Sequence, residues 1–388
     1  MTLPITIAII LLFLFIISLG FLRGRMNTNQ AKGLIFVFLF LIVAFSYFFD
    51  PNPFFSWDIS RYYIMCDRMS SKNGLYYAFV ESEYRLFVII NLFFYFVAQI
   101  GNYSLIAAVP MLIDVIVLGY LLFDVITNNN ENKDKVYVSQ LAFTLFAWLS
   151  TINLKMAVAS GRCTLAVSIV ALALYWEYIK GKKKIASGIL YLASFLIHPI
   201  FITIILIRLA CNIKNKRYFL AVMLSSIVFM EFLVYFLNNY LSFEYANMLG
   251  FKLNRYWGIF FVFNKVILSE ISIYVCWIMV LIYLIYIIHV VSKNQDVWRD
   301  NSSYVSKIIN FEKTLVVFSI GISLNYLFLQ RVMYLVAFAF LFILPTYLKC
   351  RHYKLIDVGM VFILSWLFFL NDLYGLIANY VGGYFLSR

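Results

Sequence analysis

Apolar runs of 15–25 residues recur along the chain from Leu3 to Leu370, and no other feature of the sequence limits its fold so tightly. A helix of about 20 apolar residues crosses the roughly 30 Å of hydrocarbon in a bilayer, so each run is long enough, or nearly so, to span it. Lipid offers no partner for backbone N–H and C=O groups, which leaves helices and closed barrels as spanning structures. Barrel strands need short segments of alternating polarity; the run 34–49 is continuously apolar instead. With 64% hydrophobic and 13% charged residues among 388, the chain has too few polar side chains to clothe a water-soluble surface. The expected fold class is all-α, a polytopic integral membrane protein of about twelve transmembrane helices forming one multispan domain over 1–388.

Short basic loops of such proteins stay on the cytoplasmic side. Four clusters qualify: Arg23 and Arg25; Lys180 with Lys182, Lys183 and Lys184; Lys214, Lys216 and Arg217; and Lys349, Arg351 and Lys354. Setting all four inside puts the N-terminus outside. It predicts spans at 3–22, 34–49, 104–126, 136–152, 163–179, 218–237, 266–289, 308–329, 332–348 and 355–370. The first run has no basic residue ahead of it and no small-residue cleavage pattern behind it, so it reads as a retained span.

Two segments do not fit one run to one crossing. Arg85 to Ile100 becomes an interfacial or re-entrant helix, and 185–209, with both ends inside, must rise and return. Pro199 supplies the break, because proline removes a helical donor and biases the residue before it away from helix. His198 then stands at the outward tip of two half-helices. The alternative is a single tilted span over 185–209, which moves one flanking basic cluster outside. Two outer connections are long enough to hold chemistry, 50–84 and 238–265, and both are rich in aromatic and charged residues.

The outer connections are biased toward arginine, the inner ones toward lysine. A guanidinium grips phosphate oxygens through two parallel charge-assisted bonds that an ammonium cannot match, so the outer face suits a pyrophosphate-bearing ligand. Just past the second expected span stand Trp57, Asp58, Ile59, Ser60, Arg61, Tyr62 and Tyr63. The acid, the cation and the tyrosines suit the orientation of sugar hydroxyls, although Trp and Tyr also gather at membrane interfaces with no ligand to bind. Arg162, after Gly161 and before Cys163, opens another span, at a depth where a charge is costly without a partner or a water-filled cavity. His289 and His352 fall inside, which leaves His198 as the imidazole available to outward chemistry as general acid or base; beside a proline it serves equally as a cap or a core residue. Arg255 in the second outer connection and Arg331 at an outer helix end are phosphate ligands or headgroup contacts. Asp114 and Glu231 lie within expected spans, where a hydrogen bond between helices is the expectation and proton-coupled transport the rival.

The net charge of +13 is that of cytoplasmic loops facing anionic lipid, and nucleic acid is not an expected partner. Cys66, Cys163, Cys211, Cys276 and Cys350 show no CxxC spacing, so neither a disulfide framework nor a zinc site is expected. Without an acidic cluster to hold a divalent ion, no metal and no cofactor is expected.

Taken in order, Asp58 with Tyr62, the helix start Arg162-x-x-Leu165-Ala166, the His198–Pro199 tip behind a basic connection, and Arg331 followed by Tyr334 resemble the Wzy-type bacterial polysaccharide polymerases, in particular their EpsG-like branch. The resemblance implies a GT-C-like, metal-independent glycosyltransferase of the bacterial cytoplasmic (inner) membrane that builds O-antigen, capsule or exopolysaccharide on its outer face. Its donor would be a growing glycan on undecaprenyl pyrophosphate and its acceptor a single repeat unit on the same carrier. Membrane lipid, chain-length regulators and flippases would be its partners. On that basis Arg162 and Arg331 bind pyrophosphate, His198 is the base or orients it, Asp58 with Arg61 and Tyr62 meets the acceptor sugar or supplies an alternative base, and Arg255 is a mobile-loop contact. An O-antigen ligase would carry a larger outer domain before its histidine. A flippase or other transporter of the same lipid-linked sugar would line a passage with polar groups.

Overall fold

The computed structural model describes residues 24–49, most of 58–129, 135–139, 161–180, 184–198, 201–211, 268–293 and 302–321, with scattered positions elsewhere. These residues are mostly helical. Where the sequence reads as one domain over 1–388, the chain divides into two compact units, Met1–Leu172 with Leu344–Arg388, and Ala173–Ile343.

In the first unit a two-stranded antiparallel ribbon pairs β1 (Arg25–Asn27) with β2 (Lys135–Tyr137), Met26 opposite Val136. Helix α1 (Thr28–Phe48) leaves this ribbon directly. It starts six residues before the apolar run, because Asn27 and Gln30 form a reciprocal capping box: the Asn27 side chain accepts from the Gln30 amide at 2.8 Å and the Gln30 side chain accepts from the Asn27 amide at 3.0 Å. Helix α5 (Leu105–Asn129) packs against α1 on its way back toward the ribbon. A Cβ on Gly119 of α5 would come within 2.5 Å of Leu39, so the two helices approach as closely as glycine allows. The ribbon joins two connections that the sequence reading places on one side of the membrane, at the start of α1 and beyond the end of α5.

Among the described residues two helices are long and apolar enough to cross a bilayer, α1 over Thr28–Phe48 and α5 over Leu105–Asp124. Both are apolar on all sides. On α1, Ile35, Phe38 and Ile42 are buried while Phe36, Phe40 and Leu41 face outward; on α5, Leu112, Ile113 and Ile116 do the same. Such all-round apolarity suits an outer face solvated by lipid.

The connection 50–84, expected as a loop, holds helix instead. Ile59, Tyr62, Met65, Cys66 and Met69 recur at helical spacing and form the buried face of α2 (Asp58–Met69). A short turn, α3 (Gly74–Tyr76), runs into a π-helical turn over Tyr77–Glu81. Helix α4 (Val88–Ile100) ends at Gly101, whose φ of 72° is left-handed. At 13 residues α4 is about 20 Å long, too short to cross, as its sequence context requires. It buries Ile90, Phe94 and Val97 against α2 and turns Val88, Leu92 and Phe96 outward. Helix α6 (Gly161–Leu174) follows, its last two residues falling in the second unit.

The second unit contains a π-helical turn (Tyr175–Ile179), α7 (Lys184–Ile197), α8 (Ile202–Ala210), α9 (Leu268–Lys293) and α10 (Ser302–Gly321). Helix α10 is its hub and packs against α8, α9 and the π turn. Phe311 meets Tyr178 with ring centroids 5.8 Å apart.

Candidate functional site

Arg162 is the second residue of α6, and how that helix begins decides where its guanidinium goes. Pro110 lies inside α5, where it removes one helical donor and crowds the carbonyl of Ile106. A Cβ on Gly161 would stand 3.3 Å from the Pro110 ring and 3.8 Å from the Ile106 oxygen, so glycine lets α6 start against this irregular turn. Deeper along both helices, Ser168 donates to Asp114 at 2.6 Å. Asp114 thus makes the interhelical hydrogen bond its sequence position calls for. The order of these contacts shows that α5 and α6 run in the same direction.

Arg162 is 5% exposed. Its guanidinium carbon sits 4.3 Å from the centroid of Tyr84 and 5.9 Å from that of Phe87. Cation–aromatic contacts of this kind contribute about 2 kcal/mol when desolvated. The turn carrying Tyr84 is itself fixed. The buried Asn91 of α4 donates to the Ala78 carbonyl at 2.8 Å, and Ser82 Oγ lies 3.3 Å from Asn91 Oδ1 while accepting from the Tyr84 amide at 3.1 Å. Behind Tyr84 stands Tyr62, at 5.9 Å, and behind that Phe94, at 4.7 Å. An arginine at a helix N-terminus works against the helix dipole, and the aromatic wall offsets that cost. What results is a planar cation and the positive end of a helix at one place, a combination that favours anions.

Asp58 and Arg61 pair with each other one turn apart on α2, with Arg61 the more exposed partner. Tyr62, expected to meet a sugar, is 2% exposed and is a core residue that backs Tyr84. Tyr63 meets Tyr103 with tilted rings, centroids 5.6 Å apart, and the Tyr103 hydroxyl donates to Asp67 at 2.7 Å. Burial and then that hydrogen bond push the Tyr103 hydroxyl up to about 12. Burial, with the charge of Asp67 adding to it, likewise pushes the Cys66 thiol up to about 12.

His198 belongs to the second unit. Helix α7 ends beside it at Ile197 and α8 begins at Ile202. Its amide still donates to Ser194, and its carbonyl accepts from Phe201. The segment 185–209 is therefore not one continuous helix. Tyr191 before the break and Arg208 after it both hydrogen-bond Glu177 Oε2, whereas an uninterrupted helix would carry them about 25 Å apart along its axis. The chain doubles back into an open V with His198 at the apex. The imidazole is fully buried there, edge-on to Phe201 at 5.9 Å.

Arg255 and Arg331 lie outside the described residues, as do Trp57, Pro199 and Glu231. The structure thus joins Tyr62 and Arg162 through Tyr84 and pairs Asp58 with Arg61. Three features are absent from the sequence reading: Tyr84, the Glu177–Arg208 pair, and Glu312 on α10, which is 1% exposed and whose Oε2 has no hydrogen-bond partner among the described residues. Glu312, followed by Lys313 and Thr314, reads in sequence as part of a polar helix face, and the other two depend on contacts between distant segments. No family model, curated protein or solved structure matches the chain.

Proposed function

We propose that this chain is a glycosyltransferase of the bacterial cytoplasmic membrane that polymerises undecaprenyl-pyrophosphate-linked oligosaccharide repeat units on its outer face. The observation that carries the reading is Arg162, a buried guanidinium at the N-terminal end of α6, over the ring of Tyr84. In the reaction an acceptor hydroxyl attacks the anomeric carbon of the donor and the lipid pyrophosphate leaves. The leaving group develops the charge, and a fixed cation beside the first turn of a helix stabilises it without reorganising. His198 or Asp58 takes the hydroxyl proton, and Arg255 and Arg331 act on the same pyrophosphates. The test is purified protein with a synthetic lipid-linked repeat unit. The expected result is a ladder of lengthening glycans that survives EDTA; no ladder from folded, inserted protein sinks the reading. One observation favours a second reading. A buried carboxyl such as Glu312 suits a proton-coupled carrier of the same lipid-linked unit. Translocation in sealed vesicles without any ladder selects that alternative.

A further inference from the structure

The two arms of the V around His198 are joined to one carboxylate. Glu177, on the π-helical turn, is only 13% exposed at its side chain. From α7, Tyr191 donates its hydroxyl to Glu177 Oε2 at 2.9 Å. From α8, Arg208 Nε lies 3.1 Å from both carboxylate oxygens, and its Nη2 adds a further contact to Oε1. Each of these residues stands about two turns from the break, one on either side. A guanidinium fork sets the plane and direction of its partner as well as its distance, so this contact fixes an angle.

We propose that Glu177 is a positioning residue: its carboxylate pins α7 to α8 across the break and so sets the opening of the V at whose apex His198 stands. Helix α8 has a second anchor, because Asn310 of α10 donates to the Cys211 carbonyl at 3.1 Å and Cys211 Sγ lies 3.2 Å from Thr314 Oγ1. Helix α7 turns Ile185, Ile189 and Leu192 outward, so its inward hold lies on the face that carries Tyr191. Loss of the carboxylate frees α7 to swing against an α8 that stays in place, and the apex moves with it.

The geometric part of this proposal is independent of catalysis. Spin labels carried on a genetically encoded keto amino acid at Ile189 and Leu209, both exposed and on opposite arms, report the spacing in the full chain in nanodiscs by pulsed dipolar spectroscopy. The unsubstituted protein should give one narrow distance and Glu177→Ala a shifted, broadened one. Glu177→Arg combined with Arg208→Glu, which reverses the pair, should narrow it again. An unchanged distribution in Glu177→Ala overturns the proposal, and so does a reversed pair that fails to restore it. Where Glu177→Ala does not fold, Glu177→Gln carries the test with the same two outcomes. The consequence for His198 rests on the polymerase reading. With the lipid-linked repeat unit, Glu177→Ala should lower kcat about tenfold, leave KM within about twofold, and recover in the reversed pair. Normal kcat alongside a broadened distance overturns the positioning role. An unsubstituted protein that makes no polymer defeats the polymerase reading alone and leaves the distances to judge the pin.

Discussion

The protein holds two guanidinium groups in different ways, one buried and one half-buried. Arg162 has its guanidinium carbon over the Tyr84 ring, with Phe87 as a second neighbour. Arg208 spends its fork on Glu177. An aromatic ring holds a guanidinium through the ring quadrupole, whereas a carboxylate holds it through its N–H donors. The second arrangement joins the π-helical turn to α8. On the proposed reading, the same residue type serves chemistry in one region and architecture in the other.

The largest effect should come from breaking the first arrangement without removing its charge. Arg162→Lys retains a cation but loses both the planar face and the two parallel donors. Polymer ladder formation should fall about 100-fold or more, with normal membrane insertion. Ladder formation near that of the unsubstituted protein would erase the distinction between the two arginines.

Each region also carries a cysteine, and their thiols report how tightly it is closed. Cys66 is fully buried on α2, its Sγ 3.6 Å from the Phe94 carbonyl oxygen. Cys211 is half-buried at the end of α8, where burial pushes its thiol up to about 11 while the hydrogen bond with Thr314 opposes the shift. Only the thiolate attacks a maleimide, and a raised pKa defers thiolate formation to higher pH. Cys211 should therefore label at least about tenfold faster than Cys66 at pH 8, and its rate should climb about tenfold per pH unit below 11. Peptide mass spectrometry after timed quenching reads both sites; faster labelling of Cys66 would mean that the α2–α4 core is not closed.

What the sequence made legible is local. The run length of α1, the shortness of α4 and the break at His198 follow from apolar continuity and one proline. The partner needed by Asp114 was legible as a requirement, though not as Ser168. The helix α2 was present in the spacing of Ile59, Tyr62, Cys66 and Met69, but the polar residues between them made a loop the simpler reading. Tyr84 against Arg162, and Glu177 against Arg208, bring together residues from distant parts of the chain. Neither contact leaves a mark on its own neighbourhood, because an aromatic residue in an outer loop and an acid near a helix end look alike whether or not a partner folds back onto them.

The smallest effect separates the two regions by a single methyl group. Gly161 and Gly188 both lie in helices, where replacing glycine by alanine ordinarily stabilises by about 0.5–1 kcal/mol, because the glycine loses more backbone freedom on folding. At Gly188, on the exposed side of α7, an added Cβ meets nothing within 4 Å, so Gly188→Ala should show that gain in full. At Gly161 the same methyl stands 3.3 Å from the Pro110 Cβ, closer than carbons rest comfortably, and a proline ring inside a helix has little room to retreat. The propensity gain is then offset by crowding, and α6 backs away from α5 by a few tenths of an ångström. Gly161→Ala should be neutral or destabilising, leaving a difference of about 1 kcal/mol between the two variants in thermal or denaturant unfolding. Backing away also lifts Arg162 off Tyr84, so Gly161→Ala should cost activity out of proportion to its stability while Gly188→Ala leaves activity intact. Equal gains in stability from both substitutions would mean that the close approach of α6 to Pro110 does not set the position of the arginine.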